Sequence, residues 1–410
     1  MLELKKNIVI NERLLSFSTG LIAKQANGSI IAQYGDTVVL ATFVYKDLPQ
    51  EMKGADFVPL MVDYRERSYA AGKIPGGFFK REGRPKDSEI LASRLIDRPI
   101  RPLFPDNIGK ELSVNVLVLS YDGENSADVL GIIASSLAIT MTGVPFSGPI
   151  GAVRIGYIDD KFIVNPNEKI MQNSLLDLVV VGTEDKITMI ESNSMELSEE
   201  IMLRAFAIAH EEIIKIVKLQ KEFIQELGVQ KQEINSDKNE IIDIQKTVND
   251  IYEKKQNEIK EKLLIFEKLK RQYALDEFKE SLKNIEIFSL IEEENKNTII
   301  SVIYEKLIQR AFRELINKDK KRPDGRALDE IRPIACQIGV LPSRVHGSSL
   351  FTRGETQSLG TVSLGNMKDE QILDELAGES KKRFMLHYNF PSFSVGETKM
   401  SRGPGRREIG

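Results

Sequence analysis

The 410-residue chain has no tryptophan, one cysteine (Cys336) and three histidines (His210, His346, His387). A lone thiol excludes a disulfide framework and a thiolate zinc cluster. Three scattered histidines argue against a histidine-rich metal site. No apolar run approaches the roughly 18–20 residues of a membrane span, and the N-terminus MLELKKNIVINE lacks the apolar core of a signal peptide. An excess of one charge is also missing. The formal net charge is only −4, so any nucleic-acid site has to be built from local charge. What remains is globular in composition, 41% hydrophobic and 29% charged, and long enough for two or three domains with their own cores. The expected setting is a reducing compartment, the cytoplasm, with no membrane partner.

Several catalytic motifs are absent as well. Gly72-Lys73 and Gly109-Lys110 lack a following Ser or Thr, so there is no Walker A loop. There is no HExxH and no CxxC, and no Ser/His/Asp triad can be assigned from spacing. His210 lies in an apolar helical pattern and reads as packed. His387, in FMLHYNFP, alternates with strand-type residues and reads as structural.

Glycine and proline divide the chain into three parts: 1–228, 229–322 and 323–410. In the first part, Val38–Val44, Val114–Leu119 and Leu178–Val181 read as buried strands. Ser126–Met141 and Ser198–Leu227 read as helices, the second opening on a Ser cap and two Glu and stopping at Gly228. From Val229 to Arg322 there is neither Gly nor Pro. Apolar residues there recur every three or four positions, with Ile259, Leu263, Phe266 and Leu269 forming one stripe and Ile303, Leu307, Arg310 and Leu315 another. That spacing predicts an all-helical insert. Its dense mixed charge reads as a solvated face rather than a binding surface. After Pro323 the strand-type texture returns.

The two strand-rich parts repeat. Gly20, Gly28 and Gly35 are matched by Gly339, Gly347 and Gly354 at a constant offset of 319. Each set runs into an apolar strand, and Phe57-Val58-Pro59-Leu60 pairs by pattern with Phe384-Met385-Leu386-His387. Glycines at fixed spacing imply the same turns between the same strands. The fold expected is therefore α+β: a duplicated domain with an all-α domain between the copies. Copy two has 88 residues where copy one suggests about two hundred, so the second copy is expected to be truncated and the chain a fragment.

Local charge gathers in two places. Residues 65–101 hold ten basic and five acidic residues, with Phe78 and Phe79 beside Lys80 and Arg81 in a Gly/Pro-bounded loop. Ser88–Asp97 reads as a short helix. Exposed aromatics beside cations suit single-stranded nucleic acid, because bases stack and cations track phosphates. The alternative is that the two Phe are core and the arginines pair with Glu66, Glu82, Glu89 and Asp97; composition leaves both open. The second cluster is Arg402, Arg406 and Arg407 around Gly403-Pro404-Gly405. Paired guanidinium forks suit phosphate, and a solvated surface loop is the other reading.

The strings GGFFKREGRPKDSEILASRLIDRPIRPLFP (76–105), RPDGRALDEIRPI (322–334), HGSSLFTRGETQSL (346–359), LHYNFPSFSVGE (386–397) and GRREIG (405–410) closely resemble the bacterial polynucleotide phosphorylase family. The resemblance implies two RNase PH-like domains around a helical domain, here 1–228, 323–410 and 229–322, in a ring-shaped homotrimer. It implies phosphorolysis of RNA from the 3′ end, releasing nucleoside diphosphates in mRNA degradation, with Mg2+ as cofactor and RNA-degradation complexes as further partners. Arg406 and Arg407 match the family's paired active-site arginines. Phe78, Phe79, Lys80, Arg81 and Arg84 match its RNA-gripping loop, and Arg101 an arginine near that path. The family's phosphate-binding serine turn, its metal-binding aspartates with their lysine, and its KH and OB-fold domains would follow Gly410. In the first copy the equivalent turn reads Asp122–Ala127, with Glu124 repelling phosphate, and the equivalent strand offers only Asp177. The 410 residues alone are therefore expected not to carry out phosphorolysis. A catalytically inactive RNA-binding subunit of the same ring is the alternative, and a scaffold with no RNA role is a third reading.

Overall fold

The computed structural model describes residues 4–48, 58–75, 83–105, 108–232, 243–290, 293–398 and 404–409. The chain forms two compact units. The first carries the elements up to Leu227 together with the chain from Gln371 onward. The second carries the helical segment and the strands up to Glu370.

In the first unit, β1 (Leu4–Ile10), β2 (Arg13–Thr19), β3 (Gly28–Tyr34), β4 (Thr37–Asp47) and β5 (Leu60–Glu66) precede α1 (Asp87–Ile100), β6 (Lys110–Ser120) and α2 (Ala127–Thr140). The six strands form one sheet in the order β1-β2-β3-β4-β6-β5, with only β5 and β6 parallel. α2 lies across β3 and β4, and its small apolar side chains seal Phe17, Ile30 and Phe43 from water. Each fully buried side chain of that size contributes about 2–3 kcal/mol. Next come β7 (Gly151–Ile158), β8 (Lys161–Val164), α3 (Glu168–Met171), β9 (Leu176–Gly182), β10 (Ile187–Ser194) and α4 (Glu199–Leu227). Their strands make an antiparallel sheet, β10-β9-β7-β8, on which α4 packs Ala205, Ala209, Ile213 and Ile216 at helical spacing. The Ser198 side chain caps α4 and Gly228, at φ 64°, ends it, as the sequence predicts. α1 runs longer than predicted at both ends. Glu89 closes its first turn onto Lys86, and the Arg101 N–H closes the last onto Asp97, carrying the helix through Pro99.

In the second unit, α5 (Ile244–Leu263), α6 (Lys268–Leu282) and α7 (Glu293–Asn317) share a core of Ile251, Tyr252, Ile259, Phe278, Ile303 and Leu307. The predicted stripe fails past Leu263. α5 ends there and α6 restarts at Lys268, so Phe266 and Leu269 turn out to solvent. The strands β11 (Ile334–Ile338), β12 (Gly347–Arg353) and β13 (Thr356–Val362) follow.

These three strands repeat β2-β3-β4 residue for residue. Leu15 faces Tyr34 and Gly28 faces Phe43; 319 residues later Ile334 faces Arg353 and Gly347 faces Val362. Gly35 and Gly354 turn their hairpins at φ 61° and 62°. Ser29 ties its Oγ to the Ile22 carbonyl, and the Leu341 N–H ties to Ser348 Oγ. Burial differs: Leu15 and Phe43 are 2% and 0% exposed, whereas Ile334 and Val362 are both 54% exposed. The first copy has α2 across this sheet, and no counterpart of α2 occurs among the described residues of the second.

Beyond Glu370 the chain forms the hairpin β14 (Gln371–Glu375) and β15 (Gly378–Lys382), then α8 (Arg406–Ile409). Here the predicted pairing of Phe384 with Phe57 is off by three. The 3₁₀ turn Ser68–Ala71 with Gly72 at φ 65° recurs as Ser392–Val395 with Gly396 at φ 74°. Its bonds recur as well: Lys73 N–H to Ser68 O, and Glu397 N–H to Ser392 O. The offset is thus 324, which sets Phe384 against Leu60 and Phe390 against Glu66. Residues 384–390 form no strand, so the strand alternation read around His387 does not hold. β5 gains its ladder from β6, and no counterpart of β6 pairs with this segment among the described residues.

Candidate active site and nucleic-acid interface

β5 is an edge strand, and α1 satisfies its outward amides with side chains. The Tyr64 N–H donates to Ser93 Oγ (3.0 Å) and the Glu66 N–H to Glu89 Oε1 (2.7 Å), while the Lys86 N–H donates to Glu89 Oε2 (2.7 Å). The second copy builds the same joint. The Phe390 N–H donates to Glu408 Oε1 (2.9 Å) and the Gly405 N–H to Glu408 Oε2 (2.6 Å). These two amides hold the Glu408 carboxyl below its usual value.

The matching joints carry opposite chemistry. In the first copy, Asp87 and Ser88 open α1, and Glu66 sits on the strand side. In the second, Arg406 and Arg407 open α8, and Phe390 takes the place of Glu66. The exposed Arg407 guanidinium lies 4.7 Å from the Phe390 ring centroid, and that ring stacks on Tyr388 at 6.1 Å. Arg407 is thus held by an aromatic face with no carboxylate neutralising it in that contact, a state suited to an anion. α8 lies against α1.

The predicted RNA loop divides between what is described and what is not. Phe78, Phe79, Lys80 and Arg81 lie outside the described residues. Arg84 is exposed and has no hydrogen bond or ion pair among the described residues. Arg101 is half-buried with its fork turned inward. Nη1 and Nη2 donate to Val58 O (2.6 Å) and Leu60 O (2.9 Å), and Nε and Nη2 pair with Asp97 at 3.2 and 2.5 Å. The loop's flanks are fastened to the β14–β15 turn. Lys73 Nζ donates to Glu375 O and Leu376 O, both at 2.9 Å, and Lys86 Nζ donates to Asp374 O. Leu376 is buried in the core of this unit. Sequence reasoning missed this clamp, because a lysine that holds a turn carbonyl looks like any other lysine in the string.

The first copy's own cleft is closed from within. Asp122 Oδ1 accepts from the Glu124 and Asn125 N–H groups (both 2.8 Å) and from Thr37 Oγ1 (2.9 Å), so the turn's amides are already used. Burial pushes the Asp122 carboxyl up, but the bonds from Asn125, Glu124 and Thr37 outweigh it and hold it below the usual carboxylate value. Arg154 Nε pairs with Asp177 (2.8 Å), Nη1 donates to Ser126 Oγ (2.6 Å), and Nη1 lies 3.8 Å from Asp128. The residues present do not fit a divalent ion. Asp177 is paired with Arg154, which also lies 3.8 Å from Asp128, and no cluster of three metal-type ligands occurs among the described residues. His210 Nε2 donates to the Thr183 carbonyl (3.2 Å), a packing contact.

Comparison with known proteins agrees with the repeat. The profile of the "3′ exoribonuclease family, domain 1" matches residues 11–145 and again 330–410. Domain 2 of that family matches 148–212, and the profile "Polyribonucleotide nucleotidyltransferase, RNA binding domain" matches 243–327. The chain is 48% identical to a polyribonucleotide nucleotidyltransferase of Thermosipho melanesiensis, over 97% of this chain and 57% of that protein. It is 50% identical to one of Thermodesulfovibrio yellowstonii (98% and 56%) and 46% identical to one of Bacillus subtilis (97% and 55%). The chain therefore spans little more than half the length of these curated relatives. No described helix is long and apolar enough to cross a membrane. Two matches to one domain profile, at the two places where the strand register repeats, establish that the chain belongs to the 3′ exoribonuclease family, in its polyribonucleotide nucleotidyltransferase branch.

Proposed function

We propose that the chain is the RNA-receiving part of a phosphorolytic 3′→5′ exoribonuclease: a polyribonucleotide nucleotidyltransferase that degrades mRNA with inorganic phosphate and releases nucleoside diphosphates. The observation that carries this reading is the swap between matching joints, from Asp87, Ser88 and Glu66 to Arg406, Arg407 and Phe390. One copy of the joint is acidic and the other presents the Arg407 cation on an aromatic face. Phosphate is itself the nucleophile in such a reaction, so the protein's task is to place it and to neutralise charge. Arg406 and Arg407 would hold substrate phosphate. Phe78, Phe79, Lys80, Arg81 and Arg84 would grip RNA, with Arg101 fixing the floor beneath that path through Val58, Leu60 and Asp97. We read the domains as 1–228, 229–322 and 323–410, in a cytoplasmic homotrimer open to partners of an RNA-degradation complex. Mg2+ is the cofactor the family implies, and no step is derived through it because the donors present do not fit it.

The test is phosphate-dependent release of ADP from poly(A). The 410 residues alone are expected to release none, because the amides of the Asp122 turn and the carboxylate of Asp177 are already spent. Release by these residues alone would overturn that assignment. The alternative is an inactive RNA-binding subunit of the same ring. Reading the coding sequence past Gly410 separates the two. A continuing frame with a serine-rich turn and an aspartate-bearing strand favours the enzyme, and a stop codon favours the inactive subunit.

A further inference from the structure

Two lysines of the first copy hold a turn that belongs to the second. β14 and β15 pair from Gln371 with Lys382 to Glu375 with Gly378, which leaves Leu376 and Ala377 at the tip. The body of the hairpin is open to water, with Ile372 66% exposed, but Leu376 is buried in the core of the first unit. Three successive carbonyls at this tip accept from ammonium groups. Lys86 Nζ donates to Asp374 O, and Lys73 Nζ donates to Glu375 O and Leu376 O, both at 2.9 Å. Charged donors make the stronger kind of hydrogen bond.

This clamp is not among the features that the two copies share. The offset of 324 sets Glu397 against Lys73, and the offset of 319 sets Gly405 against Lys86. Neither residue has a side chain that can donate such a bond. The joint through Glu408 forms without lysines at those positions, so the repeated fold does not require them. What the clamp joins is specific to the first copy. Lys73 precedes the basic loop and Lys86 ends it. The hairpin they hold runs on into Tyr388 and Phe390, and the Phe390 ring carries Arg407. Lys86 is itself fixed to α1 through the amide that Glu89 accepts, and α8 lies against α1.

We propose that Lys73 and Lys86 are positioning residues: by holding the β14–β15 tip they keep the paired arginines in register with the basic loop, so that RNA gripped at the loop brings its 3′ end to Arg407. The proposal rests on the RNA-degrading reading above and names what aligns its two grips. Both ammonium groups are spent on carbonyls, so neither serves as a phosphate contact. Two grips on one frame raise the local concentration of the RNA end at the second grip. A frame loosened at the tip loses that gain while each grip keeps its own contacts.

The test uses the whole chain and a labelled oligo(A) carrying 4-thiouridine at its 3′ end, followed by anisotropy across a salt series and by photo-cross-linking. In the unmodified chain the 3′ end is expected to cross-link to peptides spanning 384–409. Lys73→Met/Lys86→Met is expected to lower that yield, per RNA bound, about fivefold, with overall affinity changed by less than about threefold. The salt slope is expected to stay as it is, because no phosphate contact is lost. Lys73→Arg/Lys86→Arg is expected to restore the yield, since a guanidinium also donates to carbonyls. Leu376→Ala removes the buried anchor of the tip without removing a charge and is expected to lower the yield as the methionine variant does. A yield unchanged in both the methionine variant and Leu376→Ala overturns the positioning role and leaves the RNA reading intact. A salt slope lowered by about 1.4 in the methionine variant shows two lost phosphate contacts and also overturns the positioning role. Failure of the unmodified chain to bind RNA, or to cross-link within 384–409, overturns both.

Discussion

Glu89 and Glu408 stand 319 residues apart and make the same pair of hydrogen bonds. Each accepts one amide from the start of its own helix (Lys86, Gly405) and one from the chain that precedes it (Glu66, Phe390). The joint outlives the chemistry around it, since the neighbouring positions change from Asp and Ser to Arg and Arg. A carboxylate here ties a helix end to a strand edge whichever ligand the site meets.

Glu89 is 4% exposed, and removing its carboxylate leaves the part-buried amides of Glu66 and Lys86 without their partner. Glu89→Ala is expected to cost about 2–4 kcal/mol in chemical denaturation. Stability unchanged within about 0.5 kcal/mol would show that the joint is not what holds α1 to β5.

The Asp122 turn makes stability depend on pH. Its folded pKa is lowered, so its contribution is complete above the ordinary carboxylate value near about 4 and is lost as pH falls through the folded value. Asp122→Asn is expected to be less stable than the parent at neutral pH, with the gap narrowing on acidification. A gap that widens toward low pH would contradict the assignment.

Arg154 lies beside both Asp128 and Asp177 in the closed cleft of the first copy. Arg154→Met leaves both carboxylates without their shared cation and, with Asp177 41% exposed, is expected to cost about 1–2 kcal/mol. Adding Asp177→Asn to it should recover part of that loss, which a double-mutant cycle by denaturation would measure.

Arg101 and the loop cations are expected to separate by phenotype. Arg101→Ala should cost about 1–2 kcal/mol of stability through Val58, Leu60 and Asp97 and shift RNA affinity little. Lys80→Ala/Arg81→Ala should weaken RNA binding several-fold, more at low salt, and leave the melting temperature in place. If Arg101→Ala weakens RNA binding as much as the loop variant does, Arg101 touches RNA directly.

The sequence alone determined the duplicated α+β plan, the helical segment and the caps of α4. Those rest on local rules: glycine where φ is positive, apolar residues at periods of two or 3.6, and Ser before a helix. It also marked the paired arginines and the basic loop. It misplaced Phe384 by three residues and ran the stripe on to Phe266, because pattern matching cannot see an inserted loop or a helix that stops at Leu263. Only the tertiary structure decided how each charge is used. Arg101 and Arg154 look like any other cations in the string, yet their forks are spent on internal partners, while Arg407 is held on Phe390. The sequence sets which charges exist; whether a charge is neutralised depends on carboxylates and carbonyls that folding brings in from distant positions.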